Sequence, residues 1–408
     1  MIVSNSELRR SICKYSSSAN VFLIGASLIL SCFAPNALAD NKQIKYYTIK
    51  DEIYEKVTHS VNGMQRVTIT GDFDDDGEKE LFGFEASKPY KDYLWGISSQ
   101  KKNDKAYMKK GAKLSEDPRW NASFFAKSKE KGRESYFKTL PIVNDIKAGC
   151  VHPTQILPAD LNKDEITDFV IVCHGFDGYP FPGEHSLVML SLSSHNYETN
   201  RLTKKRGFYH DGATADFNND GLLDVLLTNT TTNKLEVYIN DGQGNFSKNQ
   251  SYFPQFTKFR AYTTEVLDVN DDGYFDVFVA GHEDVSHMPM KTLVLLGNKQ
   301  NKFSSQQSLR VPPIKGYGVV LDVIRDDDYL YVLRTGSREK FYKGALVQQI
   351  SVQTMETKDI IKNDKMRWVD RLFRLKYPFD RTLIGSLTRS SDQLDFRVIN
   401  GAMKLVKK

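Results

Sequence analysis

Hydrophobic and polar positions alternate along this chain in short bursts, not in helical turns. LVMLSL (187–192), KLEVYIN (234–240), TLVLLGN (292–298) and YLWGIS (93–98) gather apolar residues at alternate positions or in runs of a few, each bounded by Gly, Asn, Asp or Ser. Such a pattern, rich in β-branched and aromatic residues and punctuated by turn formers, predicts β-strands. The 20 tyrosines and 24 phenylalanines point the same way.

Between the bursts a polar pattern recurs. ADFNNDGLLDVLLTN (215–229) sets carboxylates and amides at every second position and then turns apolar. Four copies carry acids or amides at positions one, three, five and nine: Asp72, Asp74, Asp76 and Glu80; Asp160, Asn162, Asp164 and Asp168; Asp216, Asn218, Asp220 and Asp224; Asp268, Asn270, Asp272 and Asp276. A fifth, DVIRDDDYLYVL from Asp322, keeps the strand pattern and loses most of the acids. The leading aspartates lie 88, 56, 52 and 54 residues apart. A unit of that size suits one four-stranded propeller blade. In the third unit one strand reaches Asp216, LLDVLLTN follows, KLEVYIN is third, and DGQGNF turns into the fourth.

The fold expected is therefore an all-β propeller, a single domain over residues 40–408. Dividing the mature length by the repeat gives seven four-stranded blades, with six or eight as alternatives. The long first gap is filled by SEDPRWNASFFAKSKEKGRESYFKTL (115–140), so an insertion with some helix, or a degenerate blade, is expected around 115–148. IKYYTIKDEIYEKVT (44–58) is expected to pair with DFRVINGAMKLV (395–406), closing the ring and removing exposed strand edges.

The acidic loops offer what Ca²⁺ requires, several hard oxygens converging from one short segment. An EF-hand would place Glu at position twelve between helices, but that position holds Gly83, Ile171, Leu227 and Val279. The ninth position is acidic instead, where the next strand begins. Gly77, Gly221 and Gly273 at position six permit a left-handed turn, and Glu165 replaces them in the second loop. The competing reading is that Asp and Asn only form turns. Four copies with an acid at position nine favour structural calcium, with all sixteen residues as its ligands.

DFDDDGEKELFGF, DLNKDEITDFVIV, DFNNDGLLDVLLT and DVNDDGYFDVFVA, with NDGQGNF, make the chain resemble the FG-GAP/VCBS repeat family, the integrin-α-like β-propellers, in a secreted bacterial form. The resemblance covers most of residues 60–335. It implies a propeller and bound calcium, and for function it spans adhesion modules, lectin-like proteins and lyases.

Charge and leader narrow the setting. Arg9, Arg10 and Lys14 precede the apolar run VFLIGASLIL, and NALAD offers a cleavage site after Ala39. Residues 1–39 thus read as a signal peptide of an exported protein, periplasmic or extracellular, with no transmembrane segment in the mature chain. Leu30 fits a lipoprotein box poorly, which argues against lipid anchoring. The net charge of +5 falls to +3 once the leader with Glu7 is removed, and no basic stripe suggests a nucleic-acid partner. Cys150 and Cys173 remain after Cys13 and Cys32 leave with the leader, and an oxidising compartment would let them form a disulfide.

If the acidic loops join strands one and two, the opposite rim collects histidines. His174 and His282 each lie six residues beyond a ninth-position Asp, and His152 and His210 lie eight and six residues before a loop. HGFDGYPFPGEH (174–185), GFYHDG (207–212) and GHEDVSH (281–287) add Asp177, Glu184, Asp211 and Glu283 beside Phe176, Tyr179, Phe181 and Tyr209. Acids that bind hydroxyls and rings that stack on sugars suit a glycan or a surface protein. The same histidines could instead hydrogen-bond backbone between blades, hold a transition metal, or act as acid and base in a polysaccharide lyase or hydrolase. No nucleophile elbow, phosphate loop or H-E-x-x-H occurs. The sequence therefore favours a binding or adhesion module. An enzyme and an envelope scaffold stand as alternatives.

Overall fold

The computed structural model describes residues 68–71, 80–86, 120–127, 136–139, 142–143, 149–150, 153–175, 183–193, 196–253, 260–283, 290–336, 343–370, 381–384, 387–388, 394–399 and 402–407. The chain divides into two units, Met1–Pro35 and Asn36–Lys408, and every described residue lies in the second. The leader, the first acidic loop with Asp72, Asp74 and Asp76, His152, Asp177, YLWGIS (93–98) and residues 44–58 lie outside the described residues.

Six sheets fall among the described residues. The first is β1 (Thr68–Gly71), β2 (Glu80–Ala86), β3 (Trp120–Lys127) and β4 (Tyr136–Thr139), with β6 (Gly149–Cys150) also pairing with β3. The second runs β7 (Pro153–Ala159), β8 (Asp168–Cys173), β9 (Leu187–Ser193), β10 (Asn196–Arg201), ending on β5 (Ile142–Val143). β11 (Tyr209–Ala215), β12 (Asp224–Asn229), β13 (Lys234–Asn240) and β14 (Phe246–Asn249) form the third. β15 (Ala261–Leu267), β16 (Asp276–Gly281), β17 (Leu293–Leu295) and β18 (Ser308–Arg310) form the fourth. The fifth holds β19 (Val319–Asp326), β20 (Tyr329–Thr335), β21 (Lys343–Ser351), β22 (Thr357–Asp370) and β23 (Arg381–Ile384). The sixth holds β24 (Leu387–Thr388), β25 (Leu394–Ile399) and β26 (Ala402–Lys407).

The segment 115–148 thus supplies β3 and β4, the third and fourth strands of the first sheet, and the extra length of that repeat falls between β2 and β3. Within 395–406, β25 and β26 pair antiparallel, and β26 lies beside β19.

The sheets stack in chain order as blades. First strands are neighbours, β7 beside β11, β11 beside β15 and β15 beside β19. The hydrophobic cores lie between successive sheets. One joins Leu157, Val170 and Val188 of the second sheet to Tyr209, Val225, Leu227 and Tyr238 of the third. The next joins Ala213, Leu226 and Val237 of the third to Val266, Val277, Val279 and Leu295 of the fourth. A further core joins Phe278, Ala280 and Val294 to Val320, Val323 and Val332. This is the architecture of a β-propeller.

Strand alternation explains how one short strand serves two cores. On β12, Val225 and Leu227 enter one core and Leu226 the other. On β16, Val277 and Val279 face one side and Phe278 and Ala280 the other. Every residue of β8, β12 and β16 is buried, which is why these strands read as apolar runs. A one-residue slip would exchange the two faces and misfit both cores.

A covalent tie adds to this packing. Cys150 on β6 is bonded to Cys173 on β8, joining the first sheet to the second across 23 residues of sequence. Closing a loop of that size removes about 3 kcal/mol of unfolded-chain entropy in the loop-closure account. Cys173→Ser is expected to lower stability by about 2–4 kcal/mol, read by denaturant titration. Iodoacetamide without reductant should label neither thiol; labelling of both in native material would disprove the bond.

Candidate functional site

Three acidic loops are described, each joining the first strand of a sheet to the second. In each, the residue at position two is an apolar plug with no solvent exposure: Leu161, Phe217 and Val269. Phe217 packs edge-on against Tyr252, Phe253, Phe275 and Phe303. The plug fixes the loop to the core, so the polar residues on either side point outward.

The outward side chains hold a repeated set of bonds. The Asp216 carboxylate accepts N–H from Asp220 at 3.1 Å and Gly221 at 2.7 Å, and Asn218 Oδ1 accepts the same Asp220 N–H at 3.0 Å. Asp220 in turn accepts from Leu222 N at 2.8 Å. Asp160, Asn162 and Asp164 repeat the pattern, as do Asp268, Asn270 and Asp272. One shared N–H brings the oxygens of positions one and three together. Position six needs positive φ, 82° at Gly221 and 83° at Gly273, and Glu165 adopts 67° in the second loop. A side chain there bears a steric cost that glycine avoids.

The ninth-position acids are turned inward and are fully buried. Asp224 accepts N–H from Phe217 at 2.9 Å and from Asn240 at 2.8 Å. Asp276 accepts from Val269 and Gly297, both at 2.8 Å, and Asp168 from Leu161 and Ser191, both at 2.7 Å. Each carboxylate therefore ties the loop plug to the end of the third strand. Burial pushes all three up to about 6, opposed by these backbone bonds and reinforced by the acids of the same loop. Among the described residues no three His, Cys, Asp or Glu side chains cluster as a metal site. The outward donor set in each loop is two carboxylates and an amide, the hard oxygen chemistry that fits a calcium-like cation. Glu80, the ninth residue of the first copy, begins β2 and pairs with Gly71.

Each loop is also gripped by the next sheet. Asn240 Nδ2 donates to Leu161 O at 2.7 Å, and Asn301 Nδ2 donates to Asp216 O and Phe217 O at 3.1 Å. Arg325 donates to Asp268 O at 2.6 Å and pairs with Asp271, whose carboxyl it holds below the usual range. The sequence reading missed this relay. Asn240 opens the NDGQGNF turn and Arg325 stands in the degenerate fifth copy, but nothing local marks either as reaching a neighbouring sheet.

On the other rim the structure brings three of the candidate histidines into a row. His174 follows β8, with its ring edge-on to Phe208 and to His210, centroids 4.5 and 4.3 Å away. His210 meets Tyr262 at 4.3 Å, and Tyr262 stacks on His282 at 4.7 Å. His210 is held well below the usual histidine range by burial, then by His174, His282 and Arg260. The turn after His174 depends on Gly175 at φ 86°, where a Cβ would lie 2.4 Å from the Gly183 backbone.

The carboxylates of this rim are engaged in joining blades. Asp211 accepts the Thr264 N–H at 2.9 Å from the next sheet. Glu283 forms a buried ion pair with Arg334 at 2.7 Å and accepts from Thr292 Oγ1 at 2.6 Å. Glu184 is buried, its backbone bridged to Gly207 and its side chain 3.9 Å from Arg206.

Residues 216–279 match the FG-GAP-like repeat family. The match spans the third and fourth acidic repeats. No curated protein matches its sequence. Among solved structures it is similar to Sqt1 of Saccharomyces cerevisiae at 8% identity, covering 71% of this chain and 68% of that one, with a TM-score of 0.38. A fructofuranosidase from Schwanniomyces occidentalis complexed with fructose matches at 9% identity over 80% of this chain and 64% of its own, TM-score 0.37. A GH43 β-1,3-galactosidase matches at 10% identity, covering 66% and 59%, TM-score 0.35.

The inward acids should matter more to the metal-free fold than the outward ones. Asp276→Ala leaves the Val269 and Gly297 N–H groups without an acceptor, each worth about 1–3 kcal/mol, so a loss of about 2–6 kcal/mol is expected in EGTA. Asp268→Ala, whose bonds are exposed, should lose less under the same conditions. Equal losses in urea titrations would refute the assignment of the ninth position as the structural tie.

Proposed function

We propose that this protein is an exported, calcium-stabilised β-propeller that acts as a binding or adhesion module for glycan or a surface partner. The observation that carries this reading is the commitment of the rim carboxylates. Asp211 and Glu283 are spent on inter-blade bonds, which favours a rigid presenting surface over an acid–base pair that must exchange protons with a substrate. Phe208 and Tyr262 on this rim are partly exposed rings of the kind that stack on sugars. Export is supported by the leader pattern and by the Cys150–Cys173 bond, which an oxidising compartment preserves. No helix among the described residues is long and apolar enough to cross a membrane.

In this reading calcium is held by positions one, three and five of each loop, with the ninth-position acid behind them. Calcium supplies positive charge that offsets the buried carboxylates. The sign of the pH dependence follows. Asp168, Asp224 and Asp276 sit near 6 when folded, against 3.8 ordinarily, so the stability they gain by protonation is lost as pH rises through 6. A cation becomes most valuable above that point. The melting temperature with Ca²⁺ minus that with EGTA is expected to grow between pH 5 and pH 7.5, by several degrees at the upper end. A difference that is zero at both pH values would remove calcium from the proposal.

The ligand is tested on a glycan array with and without calcium, beside a polysaccharide panel assayed for chain cleavage. Retained glycan with uncut polysaccharide is the expected result. Depolymerisation would replace the binding module with a lyase or hydrolase.

A further inference from the structure

The rim opposite the acidic loops carries positive charge that the fold does not neutralise. RLTKKR (201–206) leads from β10 to β11 there, and Arg201, Lys204, Lys205 and Arg206 are all exposed. Hydrogen bonds fix this loop, so its cations are presented from a rigid frame. Leu202 N–H donates to Ser186 O at 3.0 Å, Gly207 N–H to Glu184 O at 3.0 Å, and Tyr209 OH to Lys205 O at 3.1 Å. Among the described residues the one acid close to these four cations is Glu184, 3.9 Å from Arg206. Arg201 and Arg206 both act on His185, which burial first and then these charges hold below the usual histidine range. Arg260 stands at the entry to β15, the next first strand, and is half-buried. Its Nε is buried with no hydrogen-bond partner, and no carboxylate among the described residues pairs with it. A charged donor enclosed without an acceptor is costly, and an oxyanion at the terminal N–H groups of the same guanidinium would offset its charge.

We propose that the 201–206 loop and Arg260 form a binding strip for an acidic polysaccharide, taking its uronate carboxylates or sulfate esters. The inference rests on the reading of this rim as a glycan-binding surface and names the class of glycan. Phe208 follows the loop and Tyr262 follows Arg260, and both rings are partly exposed beside the histidine row. Such rings suit the apolar side of a sugar, and a guanidinium fork matches the geometry of an oxyanion. Described acids of the rim do not cancel the charge, since Asp211 accepts the Thr264 N–H and Glu283 pairs with Arg334. His210 stays neutral near pH 7, because burial holds it well below the usual range and Arg260 adds to the effect. The positive character therefore comes from lysine and arginine, not from histidine protonation. A nucleic acid would call for a longer basic track than one loop and one arginine on a chain of net charge +5.

The test measures binding of full-length protein, in buffer containing Ca²⁺, to fragments of hyaluronan, of a sulfated galactan and of the same galactan desulfated, beside a single-stranded oligonucleotide. At least one acidic fragment is expected to bind about tenfold more tightly than the neutral one, and to weaken as NaCl rises from about 50 to 300 mM. Hyaluronan against sulfated galactan tells carboxylate from sulfate. Arg260→Gln should weaken that binding by about tenfold, the loss of a charge-assisted hydrogen bond. Lys204→Gln combined with Lys205→Gln should weaken it roughly fivefold, and Lys358→Gln on β22 should leave it within about twofold. Neutral galactan bound as tightly, or acidic binding unmoved by both rim variants, overturns the acidic class and leaves a binding module in place. An oligonucleotide bound as tightly as the acidic sugars overturns it too. A glycan array that retains nothing removes the binding module with it. Lys204 and Lys205 are exposed, so their variant decides the matter should Arg260→Gln fail to fold.

Discussion

The structure depends on a buried carboxylate that ties three parts of each repeat together. Asp224 joins the plug residue Phe217 to the end of the third strand at Asn240, and Asp168 and Asp276 do the same in their own sheets. Without it two backbone N–H groups would be buried with no acceptor, and the loop would lose its fixed angle to the sheet. The plug would then be free to leave the core between sheets. Loop geometry, strand register and inter-sheet packing thus share one acceptor.

That acceptor carries an electrostatic cost. A carboxylate in the interior is stabilised by its N–H donors and destabilised by lost hydration, and here the lost hydration prevails. The acids at positions one and five add like charge at the mouth of the loop. The same imbalance recurs in all three described loops, and in the proposed reading a cation at each loop would offset it. The neighbouring sheet contributes to the same region through Asn240, Asn301 and Arg325, so the loops also join one sheet to the next.

The two ends of the blades differ in chemistry. On the acidic side the oxygens are hard, exposed and organised by backbone N–H groups. On the other side aromatic rings and histidines lie edge to face, and the acids are drawn into contacts between first strands. First strands of successive sheets do not share a backbone ladder, so side chains link them. Thr154 donates to Tyr209 O, Gly212 N–H donates to Gln155 Oε1, and Thr263 donates to Val320 O. Asp211 belongs to this set, which explains why an acid that looks like a ligand in sequence is structural in the fold.

The sequence by itself determined the elements and their repetition. DVLLT and DVFVA read as strands, DFNNDG as a turn that gathers oxygens, and the spacing of leading aspartates as blades, because period, turn chemistry and composition are local properties. It also placed His174, His210 and His282 on one rim, the first and last at equivalent positions six residues beyond a ninth-position Asp. Tertiary structure alone decided that Leu226 and Leu227 serve different cores, that the ninth acid faces inward, and that His174 meets His210 while His282 is separated by Tyr262. It placed the third strand of the first sheet at 120–127, paired with β2. Each of these is set by which distant segment packs against a residue. Spacing along the chain does not encode that, because a blade's neighbours are some fifty residues away in sequence and a few ångströms away in space.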